Sequence, residues 1–571
     1  MSSTPEIDIE QFAADRASGA VVDVRERDEF AAGHVPGALL IPMGLLASRT
    51  QELDRARPVY VICASGNRSL AMTDLLRVAG FNAYSVSGGT SAWARSGRPV
   101  EGRTPMSTSD FTIVAIETPT LGDRSYLVHD GEVAFVVDPQ RDIDRVLNLL
   151  VEHRVRLAHV FETHIHNDYV TGGLALAEHT GAAYHVNEAD EVSFDRTPIT
   201  DGQSVEVGAR MRVTALATPG HTFTHLSYAL TDTHGSDHAD LHSSVAVFSG
   251  GSLLYGATGR PDLLGKEHTD TLVRHQHASA HRLADLLPDE AGVFPTHGFG
   301  SFCSASQSEA ADSTIGKEKQ HNPVLTQDEE TYIRALLDGL GAWPAYYAHM
   351  APANSAGPSE PDLSPPAVAD ATELRRRIEA GEWVVDLRNR TAFAAGHVRG
   401  SLNFGLDGGV ATYLGWLITW GTPVTLLAET PEAVAEAQRE LVRIGIDRPA
   451  AHATGSPENW AEGELASFAT ATFADLADVR HHRDVVVLDV RRPEEHAAAA
   501  ISDAVNIPLH ELSRRMGAVP TAEVWVHCAA GYRASVAASM LDAAGRTLVA
   551  VDDEFENAAK VGLHLVRPEA A

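Results

Sequence analysis

The chain has 571 residues, enough for about four domains of ordinary size. Its 77 acidic and 45 basic side chains give a formal charge of -32, which argues against nonspecific nucleic-acid binding and against an anionic membrane surface; no run of about eighteen apolar residues offers a membrane span. Three cysteines cannot build a disulfide framework, and the opening Met1-Ser2-Ser3-Thr4-Pro5-Glu6 has neither a positive n-region nor an apolar core after it, so a cytoplasmic protein in a reducing compartment is expected.

The first informative elements surround Cys63. Val59-Tyr60-Val61-Ile62 reads as a strand, Ala64-Ser65-Gly66-Asn67-Arg68 as a tight turn, and Ser69 to Val78 as a helix. That order sets the thiol at the mouth of a cradle of backbone N–H groups, where helix-end and nest dipoles favour an anion, so Cys63 is a candidate thiolate. Cys63 and Arg68 stand five positions apart. This is one fewer than in the cysteine-based phosphatases, a cradle too small for a phosphoryl group but suited to a terminal sulfur atom. The arrangement resembles the rhodanese-type sulfurtransferases. Val22-Asp23-Val24-Arg25, Gly33-His34-Val35-Pro36-Gly37 and Ile41-Pro42 upstream, with Ser87-Gly88-Gly89 and Trp93 downstream, fit that family over residues 1–100. The resemblance implies that Cys63 accepts a sulfane sulfur and that Arg68 supports the loop.

A polar stretch from Arg98 to Asp110 reads as a linker. Beyond it, 18 of the 28 histidines fall between Phe111 and Glu330. The densest group, Glu162-Thr163-His164-Ile165-His166-Asn167-Asp168-Tyr169, follows an apolar run and precedes a helical pattern; two imidazoles flanking one residue, with a carboxylate two positions on, are metal-ligand spacing. Turn-borne His221 in Thr218-Pro219-Gly220-His221-Thr222 and His297 in Pro295-Thr296-His297-Gly298 extend the set. His225 reads equally as a supporting donor or a surface histidine, His234, His238 and His242 as a polar loop, and Cys303 as a buried small hydrophobe. With Gly259-Arg260-Pro261-Asp262-Leu263, residues 111–325 resemble the metallo-β-lactamase fold, an αβ/βα sandwich with its metal at one edge. Within that fold the resemblance is to persulfide dioxygenases and their fusions with rhodanese domains. It implies mononuclear Fe(II), O2 and a low-molecular-weight thiol persulfide, oxidised to sulfite and free thiol, with His164 and His221 as ligands. The family's third ligand is an aspartate, and Gly251 stands in its place. His166 or Asp168 is then expected to complete the ligands, and the donor-poor site to bind iron more weakly than a two-histidine, one-carboxylate site; in a metal-free centre, restoration of iron binding by Gly251→Asp would identify the missing ligand as the cause. Tyr169, where many hydrolases carry a histidine, weakens a second metal position and tells against a binuclear thioester hydrolase.

Ala351 to Pro366 carries five prolines and is expected to be irregular. Self-similarity then returns. Trp383-Val384-Val385-Asp386-Leu387-Arg388 and Gly396-His397-Val398 repeat the pattern around Asp23 and His34, but Ala428 stands where cysteine is expected, so 368–465 reads as a rhodanese fold without a nucleophile. Residues 472–571 form a third copy in which Val524-Trp525-Val526-His527-Cys528-Ala529-Ala530-Gly531-Tyr532-Arg533 restores both Cys528 and Arg533. Asp552-Asp553 replaces the expected Gly-Gly there and is expected to disfavour the thiolate. The predicted protein is thus an α/β and α+β multidomain chain, a metallo-β-lactamase sandwich flanked by one N-terminal and two C-terminal rhodanese-like domains. The expected function is sulfane-sulfur metabolism with thiosulfate or a persulfide as partner. The alternative is a sulfurtransferase or sulfur-carrier scaffold whose central domain has lost metal chemistry. Homo-oligomer formation is compatible with either.

Overall fold

The computed structural model describes residues 5–567 apart from 26–29, 31–32, 51–52, 56, 65, 97, 99–110, 234–239, 299 and 306–311. Ser65 of the first cradle, the expected linker beyond Arg98, and His234 and His238 therefore lie outside the described residues. The chain forms two compact units, Met1–Leu340 with Ala348–Glu360, and Gly341–Tyr347 with Pro361–Ala571. Among the described residues no helix is long and apolar enough to cross a membrane.

The first unit opens with a parallel sheet in the order Glu6–Ile7, Ala83–Val86, Val59–Ile62, Ala20–Asp23, Leu39–Leu40. Val59–Ile62 is central and buried along its whole length, as a strand covered on both faces requires, and it delivers Cys63 to the start of the helix Asn67–Val78. Next come two six-stranded sheets. One runs Thr197–Ile199, Ala183–Asn187, Arg156–Phe161, Val133–Val137, Asp123–His129, Thr112–Thr118, and the other Ser204–Val207, Met211–Ala217, Leu226–Asp232, Ser244–Gly250, Gly292–Pro295, Ser313–Thr314. Tyr126, Phe135, Phe161, Tyr228, Phe248 and Phe294 fill the space between them. The helices Asp144–His153 and Gly173–Thr180 cover the outer face of the first sheet, and Lys266–Leu286 covers that of the second. Because Met211–Ala217, Ser244–Gly250 and Gly292–Pro295 run in one direction, the loops carrying His221, Gly251 and His297 leave the second sheet at one rim.

Two expectations need correction. The packed body does not stop at residue 325: Tyr332, Ile333 and Leu336 of the helix Glu329–Gly339 share a core with Val273, Ala280 and Leu283. Nor is the stretch from Ala351 wholly irregular, because Tyr347–Ala356 is helical with Pro352 inside it. A proline there removes one helical hydrogen bond, and a tertiary anchor offsets the loss. The Asn354 amide donates to the carbonyls of His166 (2.9 Å) and Tyr169 (2.8 Å) and accepts the Thr171 N–H (2.9 Å).

The second unit holds two parallel sheets, Leu402–Asn403, Trp383–Asp386, Val424–Ala428, Ala451–Thr454, and Ala469–Ala471, Leu548–Val551, Val524–His527, Val486–Asp489, Val505–Asn506. One device recurs in all three rhodanese-like copies. An aspartate ending a strand forms a buried ion pair with the arginine two residues on, Asp23–Arg25 at 2.8 Å and Asp386–Arg388 and Asp489–Arg491 at 2.6 Å. Each arginine also donates to a carbonyl eight residues along, that of Gly33, Gly396 or Ala499. The pair is intact in the copy that lacks cysteine, so it is structural. Asp386→Ala leaves a buried guanidinium without its carboxylate and should cost about 3–5 kcal/mol, measured by chemical denaturation of the second unit within the full chain.

Candidate functional site

Asp138 follows the strand Val133–Val137 with a left-handed backbone (φ 51) and no exposure. Its Oδ1 accepts the Thr163 N–H and its Oδ2 the Thr163 hydroxyl, both at 2.7 Å, and Oδ2 also accepts the Thr296 hydroxyl. Thr163 precedes His164 and Thr296 precedes His297, so one carboxylate fixes a histidine-bearing loop from each sheet.

Three imidazoles converge beside it, each with Nδ1 held. Thr163 Oγ1, its proton given to Asp138, accepts from His164 Nδ1 at 2.9 Å. The Arg260 carbonyl accepts from His221 Nδ1 at 2.9 Å. Asp123 Oδ1 at 2.9 Å and Asp168 Oδ2 at 3.1 Å face His297 Nδ1. Such acceptors assign the Nδ1–H tautomer and turn the Nε2 lone pairs of His164 and His221 inward. His221 Nε2 is buried with no hydrogen-bond partner, and Nε2 of His164 and His297 lie 3.5 Å apart. The ring centres stand 4.8 Å (His164–His221), 5.4 Å (His164–His297) and 5.3 Å (His221–His297) apart. Imidazoles bound at about 2.1 Å and tetrahedral angles set their ring centres about 5 Å apart. The donor set therefore fits a divalent cation.

Charges around the cluster agree. Burial lowers His221 to about 3, with the His297 charge adding to it, so His221 is a neutral donor. For His297 burial opposes the proton, but Asp168 and Asp123 outweigh it and raise the group to about 10. A bound cation takes the place of that proton. His166 presents a buried Nδ1 with no partner, while its Nε2 lies against Glu162 (3.2 Å), Asp138 (3.3 Å) and the Tyr169 hydroxyl (3.0 Å). Asp168 turns Oδ2 to His297, and its Oδ1 is buried without a partner. The rings of the two expected ligands His164 and His221 both stand beside that of His297, and the donor atoms gather in sets that meet at His297: His164 with His166, His221 with Cys303, and Asp168 with Asp123. Tyr169 serves as a hydrogen-bonding support for His166. His225 is buried and both its nitrogens are used, Nε2 accepting the Gly251 N–H at 3.0 Å and Nδ1 facing Thr218 Oγ1 at 2.9 Å.

Two residues, Cys303 and Asn354, escape a reading of the sequence alone, and a third, His297, is noted there without being counted among the ligands. His297 is visible there as a turn histidine, but nothing local gives it a ligand role. Cys303 is no mere core hydrophobe, since its sulfur lies within 4.8 Å of donor nitrogens of His221 and His297. Asn354 clamps the His164–Tyr169 loop from 183 to 188 positions away. Gly251 also has a role beyond a missing ligand: a Cβ there would stand 2.4 Å from His221 Cδ2 and 2.7 Å from its Cγ. Glycine makes room for the His221 ring, and an aspartate at 251 would crowd it.

The cysteine sites are cradles of different completeness. Cys63 Sγ accepts the Gly66 N–H at 3.1 Å, and Gly66 adopts φ 103. The Cys63 and Ala64 carbonyls are turned away to accept the N–H groups of Thr90 (2.7 Å) and Ser91 (3.0 Å). Arg68 lies on the first turn of the following helix. Cys528 Sγ accepts the Gly531 N–H at 3.2 Å, and Arg533 holds Glu495 by two bonds of 2.6 and 2.7 Å. In the middle copy Ala428 ends the strand, and Thr430 caps the next helix by accepting the Ala433 N–H at 3.3 Å, so a side chain takes the N–H that a cradle would offer to an anion. Asp553 accepts from the Phe473 N–H and Asn557, a structural use of its charge.

Comparison with known proteins gives the same division. The sequence model of the Rhodanese-like domain matches residues 8–96, 370–462 and 472–558. The chain is 27% identical over 221 residues to the human mitochondrial persulfide dioxygenase ETHE1, covering 38% of this chain and 75% of that protein. It is 31% identical over 230 residues to a hydroxyacylglutathione hydrolase of Synechococcus, covering 38% of this chain and 88% of that protein. A solved metallo-beta-lactamase of Staphylococcus aureus aligns over 61% of this chain and 100% of its own, with 26% identity and a TM-score of 0.53. From the Gly251 geometry, Gly251→Asp should weaken cation binding about 10- to 100-fold, the usual cost of disturbing a ligand's support, as read by anaerobic titration with Co(II).

Proposed function

We propose that this chain, a member of the persulfide-dioxygenase-like metallo-β-lactamase-fold proteins joined to rhodanese-like domains, loads sulfane sulfur on its cysteines and oxidises the persulfide of a small thiol. The observation that carries the oxidative half is the set of three buried imidazoles whose Nδ1 atoms are all held by neighbouring acceptors, with His221 Nε2 left without a partner. Buried polar nitrogens in that state call for a ligand. His164, His221 and His297 would hold Fe(II), with His166 Nδ1 and Asp168 beside it, and iron bound there supplies the redox chemistry with O2.

For sulfur loading, the Cys63 thiolate attacks the sulfane sulfur of thiosulfate; the new S–S bond forms as the donor S–S bond breaks and sulfite leaves with the electron pair. The Gly66 N–H and its neighbours in the turn favour the terminal sulfur anion. Cys528 does the same in its own cradle. A small thiolate then removes the outer sulfur and restores the cysteine thiolate. In the oxidative step the persulfide RSSH, O2 and water give RSH, sulfite and two protons. Joining both steps in one chain raises the local concentration of the shared intermediate. The absence of a carboxylate at Gly251 and of a second imidazole at Tyr169 disfavours thioester hydrolysis at a binuclear centre.

Iron-loaded protein should consume O2 only when a thiol persulfide is present, and His221→Ala should abolish both iron retention and O2 uptake. Hydrolysis of a glutathione thioester with no O2 uptake would instead assign hydrolase chemistry. A folded protein that retains no iron would assign a sulfur-carrier role. Independently, thiosulfate exposure should add one sulfur atom to each of the Cys63 and Cys528 peptides by intact-mass and peptide analysis. Cys63→Ser should remove the first adduct and leave the second.

A further inference from the structure

The second and third rhodanese-like copies form one packed body in which the cysteine-less copy faces the Cys528 loop. The Tyr532 hydroxyl donates to the Gly405 carbonyl at 3.2 Å, and a Cβ on Gly408 would stand 2.1 Å from the Tyr532 ring. Ser535 Oγ donates to Asn403 Oδ1 at 2.7 Å, and Ser539 Oγ accepts the Asn403 N–H at 3.0 Å. This seam holds Arg390 in a defined place. Its Nε donates to Asp552 Oδ1 at 2.6 Å, and its Nη1 lies 3.3 Å from Asp407 Oδ2.

The ion pair rests on the cradle itself. Gly531, left-handed at φ 91, gives its N–H to Cys528 Sγ. A Cβ on Gly531 would meet Asp552 Oδ1 at 2.2 Å and Arg390 Nε at 2.9 Å. At the same place in the first copy, the nearest atoms to a Cβ on Gly66 would be backbone of Val86 to Gly88, first among them Gly88 N at 3.2 Å. The third copy has thus placed a carboxylate against the one loop that must favour an anion, and the partner for that carboxylate comes from 162 positions away in another copy. The neighbouring groups account for one another. Around Cys528 and Arg390 stand Arg492 and Arg533 with Glu495 from the third copy, and Asp407 and the half-buried Tyr413 from the second. Arg533 and Arg492 both bind Glu495, and Arg390 is in contact with Asp552. Asp552, Asp407 and Cys528 all favour the charged form of Arg390, whose pKa lies above the ordinary arginine value against the opposing effect of burial.

We propose that the copy without a cysteine completes the Cys528 site, Arg390 acting as a positioning residue that neutralises Asp552 on the cradle glycine and so keeps a carboxylate field off the sulfur anion. A departure from the family pattern in one copy is compensated by a residue of its neighbour, and the pair has to be kept or lost together. At Cys63, backbone stands nearest the cradle glycine where Asp552 stands in the third copy.

The test uses the full chain with Cys63→Ser, so that Cys528 is the one cradle cysteine left, and monitors the rate of iodoacetamide alkylation at the Cys528 peptide against pH. This rests on Cys528 acting as a sulfur carrier only for its biological meaning, because alkylation is measured whether or not sulfur is transferred. Removing Arg390 leaves Asp552 uncompensated, so Arg390→Met should move the alkylation midpoint up by about one pH unit and slow sulfur loading from thiosulfate about tenfold, the rate change that goes with such a shift. Asp552→Asn should move the midpoint the opposite way. The double variant should return both readings to within about twofold of the parent. A midpoint unmoved in both single variants overturns the proposal, as does a double variant that stays as impaired as Arg390→Met. Should Arg390→Met fail to fold, Asp552→Asn alone decides, since a purely structural ion pair predicts no downward shift.

Discussion

The central domain depends on one buried carboxylate. Asp138 accepts from Thr163 twice and from Thr296, lies 3.3 Å from His166 Nε2, and by its main-chain carbonyl accepts the Ser125 hydroxyl. It sits at the end of a strand of the first sheet yet binds the threonine that precedes the histidine loop of the second. A buried charge of this kind persists only when its lone pairs are all used, and here their use ties the two sheets together at the rim where the imidazoles meet. The candidate ligand histidines gain their direction from this arrangement. Thr163 can accept from His164 Nδ1 because its own proton is already committed to Asp138. The chemistry at Nε2 is therefore set two bonds back, by a residue that offers no donor to the cluster.

Legibility in the sequence tracks the length of chain each feature needs. The cysteine cradles are legible because strand, turn and helix lie within about a dozen residues and backbone N–H groups do the binding. His164 and His221 are legible for the same reason, through the family motif and turn chemistry around them. His297 is visible, but its ligand role requires the distance to His164, 133 positions away, which no local pattern carries. Cys303 reads as a small apolar residue until the loop after His297 folds it toward the imidazoles. Gly251 reads, in sequence, as the side chain it lacks; the space that it leaves to the His221 ring belongs to three dimensions. The Pro-bearing stretch from Ala351 defies its composition because its helix is held by Asn354 against distant carbonyls, a tertiary effect that overrides the local preference.

The three rhodanese-like copies separate what keeps the fold from what does the chemistry. All three keep the aspartate–arginine pair at the end of a central strand. They differ in the turn after the neighbouring strand: glycine-led cradles at Cys63 and Cys528, and a Thr430 cap after Ala428. A few residues of turn therefore convert an anion site into an ordinary helix start while the sheet is unchanged. In the second unit the copy without cysteine is packed through Asn403 and Gly405 against Ser535 and Tyr532 of its neighbour, and its Arg390 is paired with the neighbour's Asp552.

The Asn354 clamp bears on how such chains are assembled in evolution. A stretch rich in proline, lying between one folded repeat and the next, is where gene fusion would be expected to join two modules without penalty. Here that stretch holds the carbonyls of His166 and Tyr169 and the N–H of Thr171. A crossover before it would hand the recipient a complete sandwich with an unsupported histidine loop, whereas one beyond about Glu360 would carry the loop's anchor along. The length of chain that keeps the histidine loop supported is thus greater than the sheets that define the fold, since Asn354, in what looks like spacer, answers to backbone groups nearly two hundred positions upstream.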